Sequence, residues 1–242
     1  MNKAEKTHVV VPEAEITVRY LADYMAASER RRRSIIEGCK YRPLARLLQH
    51  KEAQITISSA LQSGAPDPKT LEKKADFIRN KLATGDFEAL TNEANADYVE
   101  RFSEVVASIK LPNAEILPGK VFPAAKIQGV KVRFSPHLIL MRVDKSNKQR
   151  NGAFMLRYAK GSTLDPNVGG YQSAAAFGML KEYFAEEGAE ADKAICVTLD
   201  AFSGTLYPAP GSAITMFANM KAACQTIFER WPNIPPPKNA II

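Results

Sequence analysis

No stretch of this 242-residue chain holds 18 consecutive apolar residues, and the opening segment 1–6 is polar and charged. Neither a membrane-spanning helix nor an apolar signal segment is therefore expected. Cysteine is scarce: Cys39, Cys196 and Cys224 are odd in number, far apart, and form no Cys-x-x-Cys pair. That argues against a disulfide framework and a thiolate zinc site, and fits a reducing, cytoplasmic compartment. Phosphate-loop glycine patterns are missing too. Gly169-Gly170 precedes a helical stretch, but neither Gly-x-Gly-x-x-Gly nor Gly-Lys-Ser/Thr occurs, so the pair reads as a hinge. No nucleophile elbow accompanies the cysteines or His137, and a Ser- or Cys-centred hydrolase has no signature to stand on.

What the chain has in excess is positive charge. The net charge is +7, yet residues 161–242 carry 5 Lys/Arg against 8 Asp/Glu, so the first 160 residues hold the whole surplus. Such asymmetry points to an acidic partner, most simply nucleic-acid phosphate. The densest cluster is Arg30, Arg31, Arg32 and Arg33, followed by Lys40, Arg42 and Arg46. It reads as a phosphate-positioning patch without base specificity. Four consecutive residues step 100° each around a helix, so they cannot all face one strand; a solvated helix end is the alternative reading.

Periodicity predicts helices through the first 110 residues. One spans 18–37, with Leu21, Met25, Ile35 and Ile36 apolar and Gly38 as its stop. Pro43 suits the first turn of a second, which carries Leu44, Leu47, Leu48, Ile55 and Leu61. Asp67-Pro68 opens a third through Leu71, Phe77, Ile78 and Leu82, closed by Gly85, and Tyr98, Phe102, Val105 and Ile109 mark one face of a fourth. Segment 112–120 reads as a linker. Beyond it, Val130, Val132 and Phe134 alternate with charged residues as a strand, and 137–143 and 152–158 form a hairpin around a polar turn. A helix over 171–187, strands at 194–199 and 205–207, and a helix from Ser212 to about Arg230 complete the pattern. The chain is accordingly read as α/β, with a helical N-terminal region over 1–94 and a core over 95–242, the two possibly one domain.

From residue 95 onward the order helix, three strands, helix, strand resembles the αβββαβ core of the PD-(D/E)XK nuclease superfamily, with its mixed central sheet. The texture is similar to the RecB-like and CRISPR-adaptation branch. In that family a first-helix carboxylate, an Asp opening the second strand and an acidic-x-Lys motif on the third bind a divalent metal and activate water. The resemblance maps the helix carboxylate onto Glu104, or Glu100 one turn before it. It maps the strand-opening Asp onto His137, and the third strand onto Gly152-Ala153-Phe154-Met155-Leu156-Arg157-Tyr158, which has no acid and offers Arg157 and Lys160 as its nearest cations. Gln172 resembles the glutamine of the branch's QxxxY motif, but Ala176 and Phe177 follow where the tyrosine belongs. Asp144 lies seven residues past His137, roughly 23 Å along an extended strand, too far to substitute. Glu104, His137, Arg157, Lys160 and Gln172 are thus vestigial candidates, and one imidazole with one or two glutamates is a poor magnesium or manganese site.

The expected function is a non-catalytic protein of this fold that binds nucleic acid or a nucleic-acid-processing protein, in phage defence, mobile-element biology or DNA repair, without a cofactor and without a membrane. The alternatives are an active Mg- or Mn-dependent nuclease using Glu104, and a structural protein–protein interaction subunit.

Overall fold

The computed structural model describes residues 6–44, 50–64, 66–238 and 240–242. Two very short strands, β1 (His8–Val10) and β2 (Glu15–Thr17), precede α1 (Val18–Ala26) and α2 (Glu29–Lys40). The single helix expected over 18–37 is therefore two. Ser28, in extended conformation, ends the first and caps the second by accepting from the Arg31 N–H at 3.4 Å. Gly38 lies inside α2 and does not stop it. Pro43 ends strand β3 (Tyr41–Pro43), paired antiparallel with β1, so it opens no helix. Leu47 and Leu48 of the expected second helix, and Arg46 of the basic cluster, lie outside the described residues; the helix found there is α3 (Lys51–Gln62).

Helix α4 (Pro68–Arg79) is capped by Asp67, whose carboxylate accepts from the Lys69 and Thr70 N–H groups, and it ends well before Gly85. Leu71, Ala75 and Ile78 form its buried face, whereas Phe77 and Leu82, expected to share it, are exposed, Leu82 to 94%. Helix α5 (Asp86–Val105) follows. A division of the chain at 94/95 would cut through its middle.

The central sheet is built from β4 (Glu115–Pro118), β7 (Leu138–Val143), β8 (Gln149–Arg157), β10 (Val197–Asp200) and β11 (Thr205–Pro208), in the order β11-β10-β8-β7-β4, with β9 (Ala189–Ala191) also paired to β8. The expected hairpin is present, with Leu138 opposite Phe154 and Val143 opposite Gln149. β4 is antiparallel to β7 and β10 is parallel to β8, so the sheet is mixed. α6 (Pro166–Glu182) crosses between β8 and β10, and α7 (Ala213–Arg230) closes the element order. The helix–three strands–helix–strand order thus runs α5-β4-β7-β8-α6-β10.

Its first strand is β4, in the segment expected to be a linker. The strand expected at 130–134 belongs elsewhere: β6 (Val130–Arg133) pairs with β5 (Ala125–Ile127) and, in parallel, with β2, forming a separate three-stranded sheet. Gln128 and Gly129, both at positive φ (45° and 83°), make the two-residue turn joining β5 to β6, as the right-handed strand twist favours.

Both faces of the central sheet are covered, and β8 shows it residue by residue. Asn151 to Arg157 are all buried. Ala153 and Met155 enter a core shared with α1, α2, α6 and α7, while Phe154 and Leu156 enter one shared with α3, α4 and α5. A strand covered on both sides loses polar alternation and reads as a continuous apolar run. The N-terminal segment contributes Ile16, Leu21, Tyr24 and Ile36 to the first of these cores, through β2 and the α1 packing on α6.

Helix α6 opens at Pro166, capped by Asp165, so Gly169-Gly170 is helical and is not a hinge. A Cβ on Gly169 would lie 2.5 Å from the Tyr207 ring, and one on Gly178 would lie 2.2 Å from the Phe217 ring. These glycines allow close packing against β11 and α7. No helix among the described residues is long and apolar enough to cross a membrane.

Candidate functional site

Register fixes where the candidate residues fall. Leu138 opens β7 opposite Phe154, and Asp200 closes β10 beside Arg157. His137, Leu156, Arg157 and Asp200 therefore gather at one end of the sheet. α1 begins at the same place: Thr17, Val18, Arg19 and Tyr20 line a cavity of about 320 Å³ with Arg133, Ser135, His137, Gln54, Leu156 and Gln172. A neighbouring cavity of about 220 Å³ is lined by Arg19, Arg157, Tyr158, Ser162, Thr163, Asp165 and Asp200. Arg19 is a wall of both.

Charge around the larger cavity is one-sided, since no carboxylate lines it. Thr17 caps α1 by accepting from the Tyr20 N–H at 3.2 Å, and no acidic residue occupies the helix's first turn. Arg19 stands in that turn instead. A helix N-terminus carries roughly half a positive charge, so a cation there is unfavourable by some tenths of a kcal/mol. Arg19 makes no hydrogen bond or ion pair to any described residue. Arg133 donates from Nη2 to Glu15 Oε2 at 2.9 Å, and Arg42 donates to the other oxygen of the same carboxylate. Burial works to raise the Glu15 pKa, but the hydrogen bonds from Arg133 and Arg42 outweigh it and hold the acid ionised. One carboxylate thus answers two guanidiniums.

Arg157, 8% exposed, is paired through one nitrogen with Asp23, and its Nη1 is buried without a partner. Burial pulls its pKa below the ordinary value. Asp23 pushes back, and Arg19 adds to the depression. Gln172 is 1% exposed, lines the larger cavity, and its Oε1 has no hydrogen-bond partner. Buried polar atoms left unpaired in this way cost about 1–3 kcal/mol each.

His137 donates its backbone N–H to Phe154 O at 2.9 Å, and its Nδ1 accepts from the Leu156 N–H at 3.1 Å. Accepting at Nδ1 puts the proton of the neutral ring on Nε2. Burial, with a smaller contribution from Arg19, pushes its pKa down to about 4, so the ring is neutral near pH 7. A metal needs a ring lone pair; here one is spent on the backbone and the other nitrogen carries hydrogen. Asp200 is equally committed, accepting from Leu164 N at 3.0 Å, Phe202 N at 3.1 Å and Ser203 Oγ at 2.6 Å. Among the described residues no group of three or more His, Cys, Asp or Glu is arranged to hold a metal ion. The residues at this sheet end do not fit a magnesium or manganese site.

Of the vestigial candidates, His137 and Gln172 meet at the larger cavity and Arg157 lines the smaller. Glu104 is ion-paired with Arg101, Glu100 with Arg79 at 2.5 Å, and Lys160 with Asp97 at 2.5 Å; none lines either cavity.

The arginine run fares differently. Arg32 donates from Nε to Tyr24 O at 3.0 Å and from Nη2 to Met25 O at 3.1 Å, capping the C-terminus of α1. Arg33 pairs with Glu29, and Arg42 with Glu15. Lys40 corrects the sequence reading outright: 8% exposed, it donates to Trp231 O at 2.7 Å, Pro232 O at 3.2 Å and Ile234 O at 3.1 Å. An ammonium has three donors, and all are used inside the protein. Arg30 and Arg31 remain as solvent-facing cations.

Arg19, Arg133, Ser135 and Thr17 escaped the sequence reading. One signal was visible for Arg19, a cation placed directly after the start of an expected helix at residue 18, against the usual charge preference. No protein-family model matches the chain, and no curated protein does.

Proposed function

We propose that this chain is a non-catalytic, cytoplasmic PD-(D/E)XK-fold protein that binds nucleic acid, or a partner carrying it, in a setting such as phage defence, mobile-element biology or DNA repair. One observation carries the reading. The sheet end where such nucleases gather carboxylates is lined here by Arg19, Arg133, Arg157 and an imidazole whose Nδ1 lone pair is already used, and its two carboxylates, Asp165 and Asp200, accept hydrogen bonds from the chain's own N–H and O–H groups. A metal site needs oxygen ligands and negative charge, whereas this charge pattern suits the phosphate backbone itself. The α5-β4-β7-β8-α6-β10 order supports the fold half of the proposal, and Arg30 and Arg31 add sequence-independent attraction.

The test is a binding and cleavage assay on single- and double-stranded DNA and RNA, with EDTA or manganese. Binding that persists in EDTA, without cleavage in manganese, supports the proposal. Manganese-dependent cleavage lost in Glu104→Ala would mean an active nuclease instead, and absence of all binding at low salt would remove the nucleic-acid reading.

A further inference from the structure

We infer that the cavity at the N-terminus of α1 is a phosphate-binding site that works without a metal. Three guanidiniums meet around it: Arg133 shares Glu15 with Arg42 and Arg157 is paired with Asp23, while Arg19 has no carboxylate partner among the described residues. Arg19 sits at the positive end of a nine-residue helix with no first-turn acid, lines the same cavity as Arg133, and electrostatically depresses both Arg157 and His137. A cation at a helix start beside other guanidiniums is unfavourable. A bound anion would attract each of these groups and so offset their mutual repulsion.

Two buried side chains point to a ligand independently of the helix. Arg157 holds an unpartnered Nη1 donor at the adjoining cavity, which Asp165 and Asp200 also line, and the unpartnered Gln172 Oε1, an acceptor, is placed for the P–OH of a hydrogen phosphate or for a sugar hydroxyl. Ser135 and the Nε2–H of His137 supply further donors from the same lining. Donors from a helix start, guanidiniums, a hydroxyl and an imidazole N–H form a set suited to a tetrahedral oxyanion. The volume, about 320 Å³, lies at the lower end of small-ligand cavities, roughly 300–1,000 Å³, and admits a phosphate with part of a nucleoside attached.

The phosphate could belong to a nucleic acid or to a free nucleotide, and only the first source rests on the function proposed above. The experiment separates them. Inorganic phosphate, adenosine monophosphate and a 5′-phosphorylated oligonucleotide are titrated by calorimetry at constant ionic strength in EDTA, against the full chain and its Arg19→Ala and Lys73→Ala variants, Lys73 being an exposed cation on α4. Arg19 is exposed, so its loss leaves the fold intact, which circular dichroism checks.

The site predicts saturable binding of inorganic phosphate that weakens about tenfold in Arg19→Ala and is unchanged in Lys73→Ala. If phosphate and the mononucleotide bind in this way but the oligonucleotide does not, the site stands and the nucleic-acid reading falls. If the oligonucleotide binds equally well to wild type and Arg19→Ala, and phosphate shows no saturable binding, the nucleic-acid reading stands and the site is overturned. Phosphate binding that Arg19→Ala leaves untouched overturns it as well.

Discussion

Two basic regions of this molecule invert what their sequences promise. The run 30–33 with Lys40 and Arg42 is the densest positive segment of the chain, yet most of it is occupied within the fold: Arg32 on the carbonyls of α1, Arg33 and Arg42 on carboxylates, and Lys40 on three carbonyls after α7. Arg19, Arg133 and Arg157 are scattered over 138 residues, and only Arg157 is singled out by the sequence, as a vestigial residue of the resemblance. Folding delivers them to one end of the sheet, where Arg133 shares one carboxylate with Arg42, Arg157 is paired through one nitrogen, and Arg19 has no carboxylate partner among the described residues. Available charge is set by partners in space, and spacing along the chain is a poor guide to it.

The largest effect should come from Lys40. Lys40→Ala leaves three carbonyls near Trp231 and Ile234 without their donor and opens a hole, and about 3 kcal/mol of stability should be lost. Urea denaturation measures it, while nucleic-acid affinity of the folded variant stays as in wild type. A variant of full stability but weakened binding would return Lys40 to the binding surface.

His137 gives the next effect, through pH. Its folded pKa of about 4 lies below the ordinary 6.5, so unfolding takes up a proton at acidic pH. Its contribution is fully present above pH 6.5 and is lost as pH falls from 6.5 towards 4. The decline attributable to His137 should be about 3 kcal/mol at most, and His137→Gln should flatten it in denaturation curves across that window. An unchanged pH profile in the variant would mean that the ring is not buried neutral.

Arg19→Ala should weaken phosphate and nucleic-acid binding about tenfold, or ~1.4 kcal/mol, with thermal stability unchanged or slightly raised because a cation leaves a helix N-terminus. Arg30→Ala should be the mildest: binding within about twofold and stability within ~0.5 kcal/mol, as for an exposed side chain with no cavity beside it. If Arg30→Ala is the more damaging of the two, the comparison is the wrong way round.

The parts of the fold legible beforehand are those whose periodicity had a single cause. The β7–β8 hairpin announced itself through continuous apolar runs because both faces of the sheet are covered. The α4 cap was visible as Asp67-Pro68. β4 was not, because Glu115–Pro118 is short, only partly buried and ends in proline, which resembles a linker. β6 was seen as a strand, but pairing with β2 across more than a hundred residues leaves no local trace. Of the site, His137, Arg157 and Gln172 were legible through the resemblance, as was the loss of the acids. The arginines that replace that charge were not, since their shared position depends on α1 docking against the sheet end.

The central claim is that this sheet end attracts phosphate in place of metal, and the salt dependence of binding addresses it most directly. In EDTA, log K for an oligonucleotide should fall linearly with log salt, and Arg19→Ala should reduce the slope by about one. An identical slope in wild type and variant, or binding that appears only with manganese, would contradict it.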